Sequence, residues 1–280
     1  MSSGSRTRTA RVREVTSATG PAEPAHPSLH PGRLSGLTTL RWAALACLVL
    51  GGVGYADWAL QFLLHDSLSP VTSFISELSA TVVPHHTVFR IADATSGGLL
   101  MIGALLAWII GRESRSEWSA WAAAAAVGLT NITEALTPMD CPLTATHAHC
   151  HQAAARPLWQ AADSPHAWIS ALETLSFIAV LVLVSRALRG RQSPRLWSGT
   201  VALGVTALTF GTADALLTLP FAPESAVHYI GAVQRVDVTL TALWLAVALC
   251  TLLMVAPIGG TEHALTRRAS GQTDCGDSAP

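Results

Sequence analysis

Six long apolar segments, separated by shorter polar stretches, dominate the pattern of this 280-residue chain. Each is near or above the roughly 20 residues that a helix needs to cross about 30 Å of hydrocarbon. Backbone polar groups inside a bilayer must be satisfied within their own segment, so helices are expected. The predicted spans are 38–64, 88–111, 118–137, 167–188, 197–219 and 229–256. The pattern therefore predicts an all-α fold, an integral membrane bundle of six helices.

Composition favours this class over the alternative of a soluble all-α bundle. Half of the residues are hydrophobic and 12% are charged, against about 25% charged in an ordinary soluble domain. We divide the chain into a disordered cytoplasmic tail (1–36), a six-span domain (37–257) and a second disordered cytoplasmic tail (258–280). Both tails are rich in small and polar residues and have little to bury.

The distribution of basic residues predicts the orientation. All 17 are arginines, and they lie at the termini and in the two connections that would share a side with them, except for Arg90, Arg156 and Arg235. The positive-inside rule then places both termini in the cytoplasm and the acid-rich span ends outside, in a multi-pass protein of the cell membrane. Arginine without lysine is typical of a GC-rich bacterial genome, so we expect a bacterial source.

Ionisable side chains within the predicted spans cluster near their external ends. Charge at a helix centre costs about 2.5–3.5 kcal/mol on insertion scales, so such side chains usually face a cavity or each other. The inner halves of the spans have no counterpart, which favours a blind, outward-facing pocket over a transport path. The candidate ligand-binding residues are Asp57, Arg90, Asp93, Asp140, His166, Asp214, His228 and Arg235.

Three acids are candidate catalytic residues, because a carboxyl group removed from water can serve as a general acid or base. They are Glu77, Glu173 and Asp237. The alternative for the charged set is structural, since ion pairs between helices can simply lock them together. In that interpretation Arg90 pairs with Asp93, and Arg235 pairs with Glu173 or Asp214.

A polar face is also expected on span one. Asp57, Gln61 and His65 recur at i, i+4 and i+8, a spacing that stacks side chains on one side of a continuous helix.

A histidine-rich run after span three is a candidate metal site. His147, His149 and His151 could chelate zinc, with Asp140, His166 or His228 completing the set. The alternative is a solvent-exposed histidine-rich loop, because the spacing matches no tight zinc signature. We expect no cofactor, and zinc at this run is the alternative.

Two external cysteines flank this run. Cys141 and Cys150 are nine residues apart, and in an oxidising compartment they could form a disulfide. Free thiols or metal-binding thiols are the alternatives.

A family resemblance appears in the external loops. The stretch Ser73-Phe74-Ile75-Ser76-Glu77-Leu78-Ser79-Ala80 and the turn Pro138-Met139-Asp140 resemble motifs of the domain-of-unknown-function 998 (DUF998) membrane family. The resemblance covers about 38–256 and implies the six-span layout. It implies no particular chemistry, because the family is named for lacking a known function.

The sequence therefore predicts a polytopic membrane protein with an outward-facing polar pocket that binds a lipid or isoprenoid-like ligand. One alternative is an integral membrane enzyme of lipid hydrolase or transferase type, with or without a metal, acting at the outer face. A small transporter is the second alternative. Membrane lipid is the expected partner, and a nucleic acid is not expected because no basic, aromatic surface occurs. The oligomeric state is left open.

Overall fold

The computed structural model describes residues 31–110, 114–144, 150, 165–190, 194–217 and 228–256. Within these ranges the chain forms helices and turns and no strand. Its long helices are α1 (Pro31–Gly54), α3 (His86–Ile110), α4 (Arg115–Leu136), α5 (Pro165–Gly190), α6 (Pro194–Leu217) and α7 (Ile230–Val255). Between α1 and α3 lie a 3₁₀ turn (Asp57–Ala59), the short helix α2 (Leu60–Leu64) and a second 3₁₀ turn (Ile75–Ser79). The described residues thus have the all-α architecture that the sequence predicts.

Five of the described helices are long and apolar enough to cross a membrane, namely α1 from Gly36 onward, α3, α5, α6 and α7. The remaining long helix, α4, is rich in alanine and carries Asn131 and Glu134 near its end, which lowers its hydropathy. The protein is therefore a multi-pass membrane protein by the character of its helices, and a sixth span at α4 stays a prediction. Residues 1–30 and 257–280, which hold most of the predicted tails, lie outside the described residues.

The long helices pack in a ring. Helix α1 lies between α3 and α7, α4 lies between α3 and α5, and α6 packs chiefly on α7. Glycines permit the closest approaches: a Cβ atom on Gly51 would lie 2.7 Å from the backbone nitrogen of Leu100, and one on Gly97 would lie 2.5 Å from the carbonyl oxygen of Gly128. Helices α5 and α6 contact each other less than the other neighbours do, which leaves a seam in the ring.

The two ends of the bundle differ in what fills them. We call the end where α1, α4 and α6 finish and α3, α5 and α7 begin the acidic end. The opposite half is closed by a continuous apolar core that includes the fully buried side chains of Leu48, Leu100, Trp121, Leu245 and Leu249. Most of the buried polar side chains among the described residues therefore lie toward the acidic end, whereas Glu117 and Thr200 are buried in the opposite half.

The prediction of one continuous span over 38–64 is wrong. Helix α1 begins at Pro31, inside the predicted tail, and ends at Gly54. Its last turn contains three glycines, and glycine has low helix propensity. At least two of them are required for packing, because a Cβ atom on Gly52 would lie 3.0 Å from that of Ala246, much as Gly51 meets Leu100. The same residues that let α1 approach its neighbours thus favour its ending there.

The break separates the three polar side chains that the continuous helix would have stacked. Asp57 begins the first 3₁₀ turn, and Gln61 lies buried in α2. His65 ends α2 in the left-handed region at φ 51° and is exposed. A single polar face on span one is therefore not formed.

Candidate functional site

A cavity of about 270 Å³ lies at the acidic end, between α3, α4, α5, α6 and α7. Loop one, which we define as residues 65–85, covers its outer side through the 3₁₀ turn Ile75–Ser79. The lining positions on α5, α6 and α7 recur three or four residues apart, so one face of each helix borders the cavity.

Six carboxyl groups border this cavity, and each comes from a different element of the fold. They are Asp57 of the first 3₁₀ turn, Asp93 of α3, Glu134 of α4, Glu173 of α5, Asp214 of α6 and Asp237 of α7. The structure therefore brings five of the candidate acids together and adds Glu134. Room for Asp237 comes from Gly211 of the facing helix, where a Cβ atom would lie 3.2 Å from the Asp237 Oδ1 atom.

His166 is the one basic side chain among the described residues that line the cavity. Its Nδ1 atom lies 3.2 Å from the carbonyl oxygen of Thr137, at the end of α4. Its Nε2 atom lies 3.4 Å from Oε1 of Glu134, an oxygen that also accepts a 2.6 Å hydrogen bond from the Ser170 hydroxyl. The imidazole is thus held between the end of α4 and a carboxyl group of the cavity.

Several of the carboxyl groups are close together. Asp57 lies within hydrogen-bonding reach of Asp93, and Glu173 lies within reach of Glu134. Two carboxyl groups hydrogen-bond only when one of them carries a proton. The arrangement can therefore hold shared protons between its oxygens.

Three carboxyl oxygens in the cavity wall have no hydrogen-bond partner among the described residues. They are Oδ2 of Asp57, Oε1 of Glu173 and Oδ1 of Asp214. Glu173 is the most enclosed of the three, with 5% of its surface exposed. A buried polar atom without a partner costs free energy, and native proteins contain few of them.

The rest of the wall is apolar and leads to the side of the bundle. Phe177, Leu181 and Trp244 line the deeper part of the cavity. Ile178 on α5 and Leu208 on α6 also line it, yet they remain 37% and 39% exposed. The mouth of the cavity therefore lies at the seam between α5 and α6.

The comparison with known families decides the relationship. The family model described as "Protein of unknown function (DUF998)" matches residues 46–251, which include every residue that lines the cavity. The chain belongs to the DUF998 family. This confirms the resemblance seen in the external loops. No curated protein and no solved structure matches the sequence.

Arg235 lies outside the cavity of this DUF998 protein. Its guanidinium donates to the carbonyl oxygen of Ser73 (2.8 Å), to that of Gly231 (3.0 Å) and to Oε1 of Gln61 (2.6 Å). It also lies over the ring of Trp58, 5.7 Å from the centroid. Its hydrogen-bond partners are therefore loop one, α2 and its own helix, and the predicted pairs with Glu173 or Asp214 are not formed.

Loop one reaches Arg235 because its backbone docks directly on the first turns of α7. The backbone N–H of Ala232 donates to the carbonyl oxygen of Val71 (3.1 Å), and that of Ile75 donates to Oε1 of Gln234 (2.6 Å). Gly231 permits this contact, since a Cβ atom there would clash with the backbone of Ser73.

Glu77 is also outside the cavity. Its carboxylate is fully buried and accepts hydrogen bonds from the backbone N–H groups of Leu143 and Thr144 (2.8 Å each) and from the Thr144 hydroxyl (2.5 Å). Burial raises the pKa of Glu77 above its usual value, although these hydrogen bonds act in the opposite direction. Glu77 thus joins loop one to the segment after α4.

That segment also carries a disulfide, which joins Cys141 to Cys150 with their Cα atoms 5.7 Å apart. The three histidines of the candidate metal site, His147, His149 and His151, lie outside the described residues. Within the described ranges no group of three or more His, Cys, Asp or Glu side chains is arranged to hold a metal ion.

The other candidate residues lie at the surface of the acidic end. Arg90 donates from Nε to the carbonyl oxygen of Ala135 (2.8 Å), near the end of α4, where a cation is favoured by the helix dipole. Asp140 is exposed, and its backbone oxygen accepts from the Thr81 hydroxyl. His228 is exposed and contacts Tyr229 edge to face, with ring centroids 5.4 Å apart. None of the three lines the cavity.

Sequence reasoning missed two residues of the site as candidates. Glu134 lies near the end of α4, three residues after Asn131, and this polar pair in an apolar segment was the available signal. Tyr55 follows the end of α1, and its ring packs edge to face on Phe177 with centroids 5.3 Å apart. No pattern in the sequence points to Tyr55, because its position depends on the break in span one.

Proposed function

We propose that this DUF998 protein binds an amphiphilic, lipid or isoprenoid-like ligand in the cavity at its acidic end. The observation that carries the proposal is the polarity of that one cavity: six carboxyl groups border it, its deeper wall is aromatic and aliphatic, and its mouth lies at the α5–α6 seam. A polar head on the carboxyl groups and an apolar chain along Phe177, Leu181 and Leu208 would match this arrangement. Ligand sites are commonly apolar pockets with a few convergent polar groups.

The same proposal includes a topology. Helix α4 packs between α3 and α5 and completes six spans, with both termini in the cytoplasm and the acidic end outside. The arginine distribution supports this orientation. The seam between α5 and α6 then faces lipid, and the cavity is reached from the outer half of the bilayer.

The test compares two tryptophan substitutions on α5. Ile178→Trp places a larger side chain at the mouth of the cavity, whereas Leu175→Trp adds the same ring at a 62% exposed position that does not line it. The proteins are purified in mild detergent without a histidine tag, and co-purifying lipids are identified by mass spectrometry. We expect one lipid class to be enriched in the wild type and in Leu175→Trp and to be depleted in Ile178→Trp. Equal bulk lipid in all three proteins would contradict the proposal.

An enzyme is the second candidate, favoured by the carboxyl pairs. Neighbouring carboxyl groups that share a proton can divide the roles of acid and base. Glu173 and Asp237 lie where they could act on a bound ligand, whereas Glu77 does not. Cells that express Glu173→Gln or Asp237→Asn would then accumulate a lipid that wild-type cells convert. Identical lipid profiles, with equal protein levels, would contradict turnover.

The structure of the other half of the bundle argues against the transporter alternative. Below Trp244 the described helices are joined by the apolar core, and the cavity does not continue through it.

A further inference from the structure

Acidic side chains outnumber basic ones around the cavity. Among the described residues, six carboxyl groups line it against a single imidazole, and the chain contains no lysine. Among the described residues at the acidic end, Arg235 is bonded to carbonyl oxygens of loop one and α7, and Arg90 is bonded to the end of α4. A negatively charged or phosphate-bearing head would meet mainly carboxyl oxygens, with one imidazole as the only basic side chain among the described residues that line the cavity.

From this imbalance we infer that the ligand head is cationic, an ammonium group carried on an apolar chain. This rests on the proposed function and names its ligand class. An ammonium group has up to three donors and no acceptor, and it would supply hydrogen bonds to carboxyl oxygens that have none.

The buried acceptors carry the inference beyond a count of charges. Among the described residues, Oε1 of Glu173 has no hydrogen-bond partner, and it belongs to a side chain with 5% exposure that lines the cavity. Oδ2 of Asp57 and Oδ1 of Asp214 are likewise buried without a donor, and they belong to other elements of the same cavity. Charge-assisted hydrogen bonds are roughly twice as strong as neutral ones, so a cation satisfies such atoms better than a neutral head does.

The aromatic wall suits the same head. Tyr55, Phe89 and Phe177 line the cavity beside the carboxyl groups, and the face of an aromatic ring attracts a cation. The apolar wall and the mouth at the α5–α6 seam select an ammonium group with a chain over a free soluble amine.

The experiment uses the full-length protein in nanodiscs of phosphatidylglycerol, a lipid without an amine. Octadecylamine, octadecanol, octadecyl phosphate and ethylamine are titrated, and the unfolding midpoint is recorded, because a ligand of the folded state raises it with concentration. Wild type is compared with Glu173→Gln, and Asp140→Asn is the matched control at the same end outside the cavity. Asp214→Asn serves as a second variant should Glu173→Gln fail to fold.

We expect octadecylamine to raise the midpoint of wild type and Asp140→Asn equally, and the cavity variants to need about tenfold to a hundredfold more of it, the loss expected for one bond to a charged group. A response to octadecanol or octadecyl phosphate as large as that to octadecylamine would overturn the cationic head and leave the amphiphile site standing. An equal response to ethylamine would support the cationic head but overturn the inference that the ligand carries an apolar chain. No response to any of the four probes would overturn both.

Discussion

Arg235→Ala provides the sharpest test of how loop one is held. In the folded protein Arg235 is 5% exposed, and its guanidinium connects α7 to the Ser73 carbonyl oxygen of loop one and to the Gln61 side chain of α2. Alanine removes both connections. It also leaves these two buried acceptors without their cationic donor.

The expected loss follows from those two bonds. A hydrogen bond to a charged group contributes about 1.5–3 kcal/mol, so losing two of them lowers the free energy of unfolding by about 3–6 kcal/mol. The bond to Gly231 lies within α7 and is left out of this sum. Arg235→Lys keeps the charge but lacks the fork that reaches two acceptors at once, so we expect about half of that loss.

The assay is equilibrium unfolding in mixed micelles. Arg186→Ala, which removes an exposed arginine from α5, is the matched control and should change the free energy of unfolding by less than about 0.5 kcal/mol. An Arg235→Ala protein as stable as this control would refute the argument that the guanidinium holds loop one. So would a lysine variant as damaging as the alanine variant.

Three further predictions concern loop one and its neighbours. Because burial raises the pKa of Glu77 from 4.5, the folded state binds that proton more tightly, so the free energy of unfolding should fall as pH rises above about 4.5. Glu77→Gln should remove this part of the slope in denaturant titrations, and equal slopes in both proteins would contradict it. Replacing Cys141 and Cys150 with serine should lower the free energy of unfolding by roughly 2–3 kcal/mol for a loop of this size, and a reductant should then affect only the wild type. His85 has φ 62°, in the left-handed region that glycine adopts without strain, so His85→Gly should raise the free energy of thermal unfolding by about 1 kcal/mol. No gain would mean that contacts of the His85 side chain offset the strain.

The helices of this fold could be predicted from hydropathy, apart from the break in span one. Apolar runs set the ends of α3, α4, α5, α6 and α7 to within about three residues, because length and polarity decide what a bilayer accepts. The break after Gly54 could not be predicted in this way. It depends on how closely Gly51 and Gly52 approach α3 and α7, and hydropathy carries no information on such contacts.

The candidate site likewise has a part that the sequence predicts and a part that depends on folded contacts. The acids that converge could be predicted from their shared depth, as Asp57, Glu173 and Asp237 illustrate. The partners of Arg235 and Glu77 could not. A charged side chain in a span or a buried loop is expected to pair with an opposite charge. Arg235 and Glu77 instead form hydrogen bonds with backbone groups of folded loops. Nearly every residue has the same backbone donor and acceptor, so the pattern of side chains does not predict which backbone groups will bind a charged side chain.

These two backbone anchors determine where the cavity can open. Arg235 ties loop one to α7, and Glu77 ties it to the segment after α4, so the turn Ile75–Ser79 between them is fixed across the acidic end. Loop one and the start of α3 also share a small apolar cluster of Leu68, Leu78, Ala80, Val83 and Phe89. A cavity closed at its end by an anchored loop, and below by the apolar core, is reached most easily through the α5–α6 seam. The two conspicuous charges that do not touch the cavity therefore matter to it, because they direct its opening toward the side of the bundle.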